Sequence, residues 1–361
     1  MPTDRARRRL LLAALGLPLL APAWPARGAT TLDVRAHGAR GDGSRDDTRA
    51  FQRAIDALPA TGGTVVVPAG RYLLDAVRGV HLRSNMHLRM DPRAILLVAP
   101  NAAERSVLLM LRGIHDVEVS GGRIVGDRER HRGRGGEWGH GLQLRGARAV
   151  VVRDLHVSGC WGDGLSVAGA GPRARVGDGR SRDVLLERVV STGNRRQGLT
   201  IGGATRVRVR DCEFSGTRGT PPEAGIDIEP DTTLADDIEI SGCRIRGNHG
   251  PGVQVYRRTR GVEIRDCLLE GNRYGVLVVG GEDTRVLGNR IRGNLRNGVR
   301  VQEAARGVRI AGNDFAGNAR KAGAGALTGL LSRLGEGPSA RDILIGGAAQ
   351  GVRLGNDNRF D

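Results

Sequence analysis

Val150 to Val167 reads VVVRDLHVSGCWGDGLSV, and Val184 to Ile201 repeats the phrase as VLLERVVSTGNRRQGLTI. It returns at Ile238–Val255 (IEISGCRIRGNHGPGVQV), Val262–Val278 (VEIRDCLLEGNRYGVLV) and Val286–Val301 (VLGNRIRGNLRNGVRV), with a period of roughly 22–24 residues and longer excursions between some copies. Each copy holds alternating aliphatics, a polar turn, a glycine and a second alternating stretch. A period of two marks half-buried strands and excludes helical repeats of similar length. The glycine before the second strand implies a turn that needs positive φ or close approach. A unit this short cannot cover its own apolar face, whereas stacked units share one continuous core. The expectation is an all-β solenoid, a right-handed parallel β-helix.

Stacking aligns like residues. Asn194, Asn248, Asn272, Asn294 and Asn318 fall at one turn position, which Cys160 takes in its own coil. Their amides can bond up and down the stack and satisfy turn backbone. Cys212, Cys243 and Cys267 form a second column, continued by Asn289 and Asn313. This placement reads as small apolar fillers, stacked free thiols rather than a disulfide, and no CxxC or Cys/His spacing supports zinc.

Composition agrees. Hydrophobic residues make up 39%, too many for wholesale disorder, and aromatics only 3%, too few for a globule built on Phe and Trp. The net charge is +17; Arg5, Arg7, Arg8, Arg9 and Arg27 against Asp4 give +4 in the first 29 residues, leaving 17 − 4 = +13 for the remainder. The arginines are scattered through the repeats rather than gathered in a tail or recognition helix. A polyanionic polysaccharide therefore fits better than nucleic acid. Residues 1–29 read as an export signal: Arg7-Arg8-Arg9 precede an apolar run to Leu20 that is too short to span a membrane. The paired arginines resemble a twin-arginine signal, with an ordinary secretory signal as the alternative, and the expected location is periplasmic or secreted. No later segment is apolar enough to span.

The ends differ from the middle. In region 30–75, Asp46-Asp47-Thr48 offers N-caps for a short helix with Phe51, Ile55 and Leu58 on one face, expected to cap the stack, and Thr64–Val67 follows as a strand. Regular coils are expected over 110–318 and irregular ones over 319–361, with a small helix at Ala326–Leu334.

The segment Asp33-Val34-Arg35-Ala36-His37-Gly38-Ala39-Arg40-Gly41-Asp42-Gly43, with Asp46-Asp47-Thr48 and Thr64-Val65-Val66-Val67-Pro68-Ala69-Gly70, resembles the N-terminal part of the pectate lyase superfamily. That superfamily includes polygalacturonase-like hydrolases and some phage tailspikes. The resemblance implies a β-helix and carbohydrate as ligand. It leaves the reaction open, because function lives in the site rather than the fold. Gly139-His140-Gly141 matches one short polygalacturonase motif, in a different order along the chain.

Strand alternation lists the outward residues coil by coil. One column is Gln143, Ser166, Thr200, Asp227, Gln254, Leu277 and Arg300; the next is Arg145, Ala168, Gly202, Glu229, Tyr256, Val279 and Gln302. With rungs ~4.8 Å apart, Trp161, Asp163, Arg195, Arg196, Gln197, Asp227, Glu229, Tyr256 and Arg257 meet on one surface. Asp163, Asp227 and Glu229 are the candidate catalytic carboxylates. Arg195 and Arg196 either grip a uronate carboxylate or form structural ion pairs. Trp161 is a candidate for stacking on a sugar face, and Gln197, Tyr256 and Arg257 are further substrate contacts. His140 and His249 are candidate bases, although a lone histidine is more often structural.

Pro221–Asp237 holds six acids and no base: Glu223, Asp227, Glu229, Asp231, Asp236 and Asp237. They read as a catalytic set, as oxygen ligands for Ca²⁺, or as a solvated loop pairing with arginines. No cofactor is required. The leading expectation is a polysaccharide-cleaving enzyme, with hydrolysis ahead of uronate β-elimination or C5-epimerisation. A non-catalytic carbohydrate-binding β-helix is the remaining alternative.

Overall fold

The computed structural model describes residues 30–171, 178–319 and 342–361; the expected signal and the expected helix at 326–334 lie outside them. Among the described residues the strands form three parallel sheets of twelve, twelve and ten strands, and in each sheet every strand pairs with the strands one coil earlier and one coil later. This is a β-helix. No described helix is long and apolar enough to cross a membrane.

The repeat specifies the core rung by rung. In the first sheet Val150, Val184, Val207, Ile238 and Val262 stand in register on successive coils. The second sheet stacks Val157, Ser191, Phe214, Ile245, Leu269, Ile291 and Phe315. The third stacks Leu142, Leu165, Leu199, Ile226, Val253, Val276 and Val299. All are buried. Each large aliphatic contributes about 1.5–3 kcal/mol by leaving water, which it can do only with a coil above and below.

The two glycine positions of the repeat have different causes. Gly193, Gly247, Gly271 and Gly293, just before the column asparagines, have φ between +61° and +64°. Gly225, before the third-sheet strand, needs room instead: a Cβ there would lie 2.6 Å from Ile245 and 2.8 Å from the Asn248 amide. The asparagines form the expected ladder. Asn248 donates from its backbone N and side-chain Nδ2 to Asn272 Oδ1 at 3.1 and 2.8 Å, and Asn272 donates likewise to Asn294 at 2.9 and 3.3 Å. Thr217 interrupts the ladder between Asn194 and Asn248. The four cysteines are buried free thiols, and the backbone N of Cys267 donates to Asn289 Oδ1 at 3.0 Å.

The stack also extends N-terminal of the expected 110–318. Thr31–Asp33 pairs with Gly63–Val67, and that strand with Met86–Met90. These coils lack the Gly-Asn turn, so the repeat does not announce them. The helix is Thr48–Asp56, and its buried Phe51 and Ile55 join the main core. Asp47 precedes it without capping it, because the Asp47 carboxylate accepts from Arg40 N and Gly41 N at 2.8 and 3.0 Å. Beyond the regular coils, Ile343–Ile345 adds a rung to the third sheet.

Candidate functional site

Both outward columns expected from alternation are present on the third sheet. Gln143, Ser166, Thr200, Asp227, Gln254, Leu277 and Arg300 are register partners on successive strands. Beside them run Arg145 and Ala168, then Gly202, Glu229 and Tyr256, each tied by its backbone N–H to the strand one coil earlier at 2.7, 3.0 and 2.9 Å.

The excursion after Asp127 folds over one end of this surface. Asp127 Oδ2 accepts from Asn101 Nδ2 at 3.0 Å and lies 2.8 Å from His131 Nδ1. The His131 ring stacks on Trp161, with centroids 4.0 Å apart. Trp161 Nε1 donates to Gly135 O at 3.1 Å, and Arg195 donates to Gly136 O at 2.8 Å while its guanidinium lies 3.9 Å over the Trp161 ring. A Cβ at Gly162 would meet Glu137 O at 2.4 Å, so glycine there lets the excursion lie against the next coil. Trp161 and Arg195 are thus engaged in anchoring this excursion. Arg195 pairs with neither Asp163 nor Asp227 among the described residues; backbone carbonyls satisfy it.

The anchored excursion presents Glu137 to Arg196. Arg196 Nε lies 3.2 Å from Glu137 Oε2, Nη1 3.4 Å from Asp163 Oδ1, and Nη2 3.8 Å from Glu229 Oε2. Burial disfavours the Arg196 charge, but Asp163, Glu137 and Asp227 outweigh it and hold its pKa above the ordinary value. Thr200 Oγ1 donates to Asp163 Oδ2 at 2.8 Å, and Arg196 donates to Gln197 Oε1 at 2.7 Å. Gln197 and Gln254 both donate to Asp227, the latter to Oδ1 at 3.0 Å.

The three expected carboxylates are brought together but not equally exposed. Asp163 and Asp227 have 2% and 0% exposure, roofed by Arg196 and Gln197, while the Glu229 and Glu137 side chains are each 34% exposed. Burial drives the Asp227 pKa well above the ordinary value, and the charge of Glu229, to which Asp227 is hydrogen-bonded, drives it further. Burial and Glu229 thus favour the protonated form of Asp227 beside an accessible carboxylate. His140 is buried beneath Asp163. Its Nδ1 accepts from Asp163 N at 3.2 Å, so that nitrogen carries no proton, and burial pushes the pKa down more than Asp163 raises it. The 3.4 Å approach of His140 Nδ1 to Asp163 Oδ2 is accordingly no ion pair.

Tyr256 flanks Glu229 on the following rung, whereas Arg257 turns away to Glu303, 2.9 Å from its Nε. His249 stands exposed in the turn before Pro251–Val255. The six acids of Pro221–Asp237 disperse. Glu223 accepts from Gly219 N at 2.6 Å, Asp236 pairs with Arg180 at 2.8 Å, and Asp237 pairs with Arg208 at 2.7 Å. Among the described residues no three His, Cys, Asp or Glu side chains converge on a metal position, so the calcium expectation gains no support. Glu137 was missing from the expected site. The only sequence signal for it was the charged, glycine-rich excursion, whose path alternation does not determine.

Two family models match the chain: "Right handed beta helix region" over residues 140–315, and "Rhamnogalacturonase A/epimerase, pectate lyase-like" over 31–110. The uncharacterized protein YclG of Bacillus subtilis is 29% identical over 274 residues, 69% of this chain and 45% of that protein. The chain spans less than half the length of the first two curated relatives it matches. Among solved structures, the surface adhesin PfbA of Streptococcus pneumoniae superposes with a TM-score of 0.66 at 16% identity, over 92% of this chain and 99% of that one. The A-module of mannuronan C-5 epimerase AlgE4 of Azotobacter vinelandii superposes with a TM-score of 0.62 at 18% identity, over 92% and 100%. With its parallel coils and both matched regions, the chain is a right-handed parallel β-helix similar to the proteins of the pectate lyase superfamily.

Proposed function

We propose that this chain is an exported polysaccharide-cleaving enzyme that hydrolyses a uronate-containing polymer on the outward face of its third sheet. The observation that supports this reading is the meeting of Glu137, Asp163, Asp227 and Glu229 around Arg196. Hydrolysis needs a proton donor for the leaving oxygen and a carboxylate to activate water or attack the sugar. Protonated Asp227 supplies the proton through its hydrogen bond to Glu229, and half-exposed Glu229 passes it to the glycosidic oxygen as the C–O bond breaks. Glu137, the other exposed carboxylate, takes the proton of the attacking water, whose oxygen bonds the anomeric carbon. Arg196 holds Glu137 and Glu229 in place while Asp163 balances its charge. Gln197 keeps Asp227 fixed.

A second reading, β-elimination or C5-epimerisation, draws on Tyr256 beside Glu229 as an acid and Arg196 as the group facing a uronate carboxylate; the likeness to the epimerase A-module accompanies it. The test is incubation with polygalacturonate and alginate. New reducing ends without ultraviolet-absorbing unsaturation support hydrolysis, unsaturated ends support elimination, and a changed uronate composition without cleavage supports epimerisation. Binding with none of these supports a carbohydrate-binding β-helix.

A further inference from the structure

Two rungs beside the carboxylate cluster carry almost no side chain. In the outward column through Glu229, the preceding rungs hold Arg112, Arg145, Ala168 and Gly202. Ala168 and Gly202, flanked by Gly169 and Gly203, floor a cavity of about 300 Å³ walled on one side by Arg145. From Arg145 to Glu229 is three rungs, about 14 Å along the stack. A sugar ring and its linkage fit in that interval.

The arginines at the far end lack an ion-pair partner among the described residues. Arg112 and Arg145 are register partners on adjacent strands, and among the described residues neither forms an ion pair. Arg145 donates from Nε to Gly169 O at 3.4 Å. The nearby acid Asp178 is already held by Arg180 and Arg182 at 2.7 and 2.9 Å. Asp231, across the cavity, offers Arg145 a Coulombic attraction, yet burial and Arg112 together still push the Arg145 pKa below its ordinary value. Like charges directly opposite in a ladder are destabilising, and a half-buried charge without a partner is costly. Other outward arginines are offset by an acid on the same or a neighbouring coil, as Arg153 is by Glu118 and Arg206 by Asp183.

We infer that Arg112 and Arg145 bind the carboxylate of a uronate unit lying over Ala168 and Gly202, next to the linkage held at Glu229. A planar guanidinium fork matches a carboxylate in two parallel hydrogen bonds, and two forks on adjacent rungs clamp it from one side. The floor is small because the sugar ring itself occupies that volume. This subsite rests on the proposed function and names the group by which that site selects its polymer.

The experiment measures binding of polygalacturonate and alginate oligomers, and of the same oligomers with their carboxyl groups reduced to alcohols. The chains compared are wild type, Arg112→Gln, Arg145→Gln and Gly202→Leu. A side chain at Gly202 is sterically admissible, since a Cβ there meets nothing nearer than 3.5 Å. The arginine variants should lose about ten- to a hundredfold in affinity for the acidic oligomer, the loss of a charge-assisted hydrogen-bonded pair, and bind the reduced oligomer as wild type does. Gly202→Leu should weaken both. Arginine variants that bind the acidic oligomer as tightly as wild type overturn the subsite. Wild type that binds acidic oligomer in this way without altering it keeps the subsite and overturns the enzymatic reading. Wild type that binds neither oligomer overturns both.

Discussion

Gln254 Nε2 donates to Asp227 Oδ1 at 3.0 Å across one rung of the third sheet, and with Gln197 on the other side it fixes a carboxyl group that no water reaches. Burial is the larger cause of that carboxyl's raised pKa and Glu229 the second. Between the unfolded and the folded pKa the native state holds one more proton than the unfolded chain. The stability this group contributes is thus full below the unfolded value and is lost as pH rises through the folded one. Asp227→Asn cannot ionise, so its stability relative to wild type should rise with pH above the ordinary aspartate value of 3.8. Chemical denaturation across that range measures it; a difference that stays flat or falls with pH contradicts the protonated assignment.

Arg196 is the counter-charge for a buried acid. Arg196→Met should cost about 3–5 kcal/mol, because Asp163, 2% exposed, is left without its cation. Urea unfolding gives the value. A loss below about 1 kcal/mol, the size of a surface pair, would place Arg196 outside the framework of the site.

Glu137 is carried to the site by the excursion that Trp161 anchors. Trp161→Ala removes the ring under His131 and Arg195, and should reduce turnover through misplacement of Glu137 while the coils stay folded. Glu137→Gln should lower turnover by about 10²–10⁴-fold, the usual contribution of a positioned base. Comparison of the two variants at saturating polymer is the measurement. Full activity in Glu137→Gln would remove that residue from the mechanism.

Asn272 links two neighbouring coils. It donates to Ile245 O at 2.9 Å and accepts from Asn248 N at 3.1 Å. Asn272→Leu leaves buried backbone groups unpaired, and each orphan costs about 1–3 kcal/mol. The buried thiols take part in the same way, Val189 N donating to Cys212 Sγ and Cys243 N to Cys267 Sγ at 3.4 Å each, and all four should react with thiol reagents only after unfolding. Rapid labelling of the native chain would show that a cysteine-bearing coil opens.

The central coils were legible because their rungs repeat one instruction: aliphatic inward, polar outward, glycine where a Cβ has no room. That pattern also placed Asp227 and Glu229 in adjacent outward columns, and the structure keeps them there. Alternation says which way a side chain leaves the sheet but not what lies over it. Asp163 and Asp227 point outward and are nevertheless buried, since Arg196 and Gln197 reach across rungs to cover them. Glu137 and the packing of Trp161 depend on a loop between coils, whose path follows from tertiary contacts rather than from period. The acids of Pro221–Asp237 illustrate the same limit, because Asp236 and Asp237, adjacent in sequence, pair with Arg180 and Arg208 on different coils.

The most direct measurement is product analysis of the acidic polymer the chain binds, digested by wild type and by Glu229→Gln. The account predicts new reducing ends without unsaturation from wild type, and a loss of about 10²–10⁴-fold in that rate from Glu229→Gln with binding retained. Unsaturated ends from wild type, or undiminished cleavage by Glu229→Gln, would contradict it.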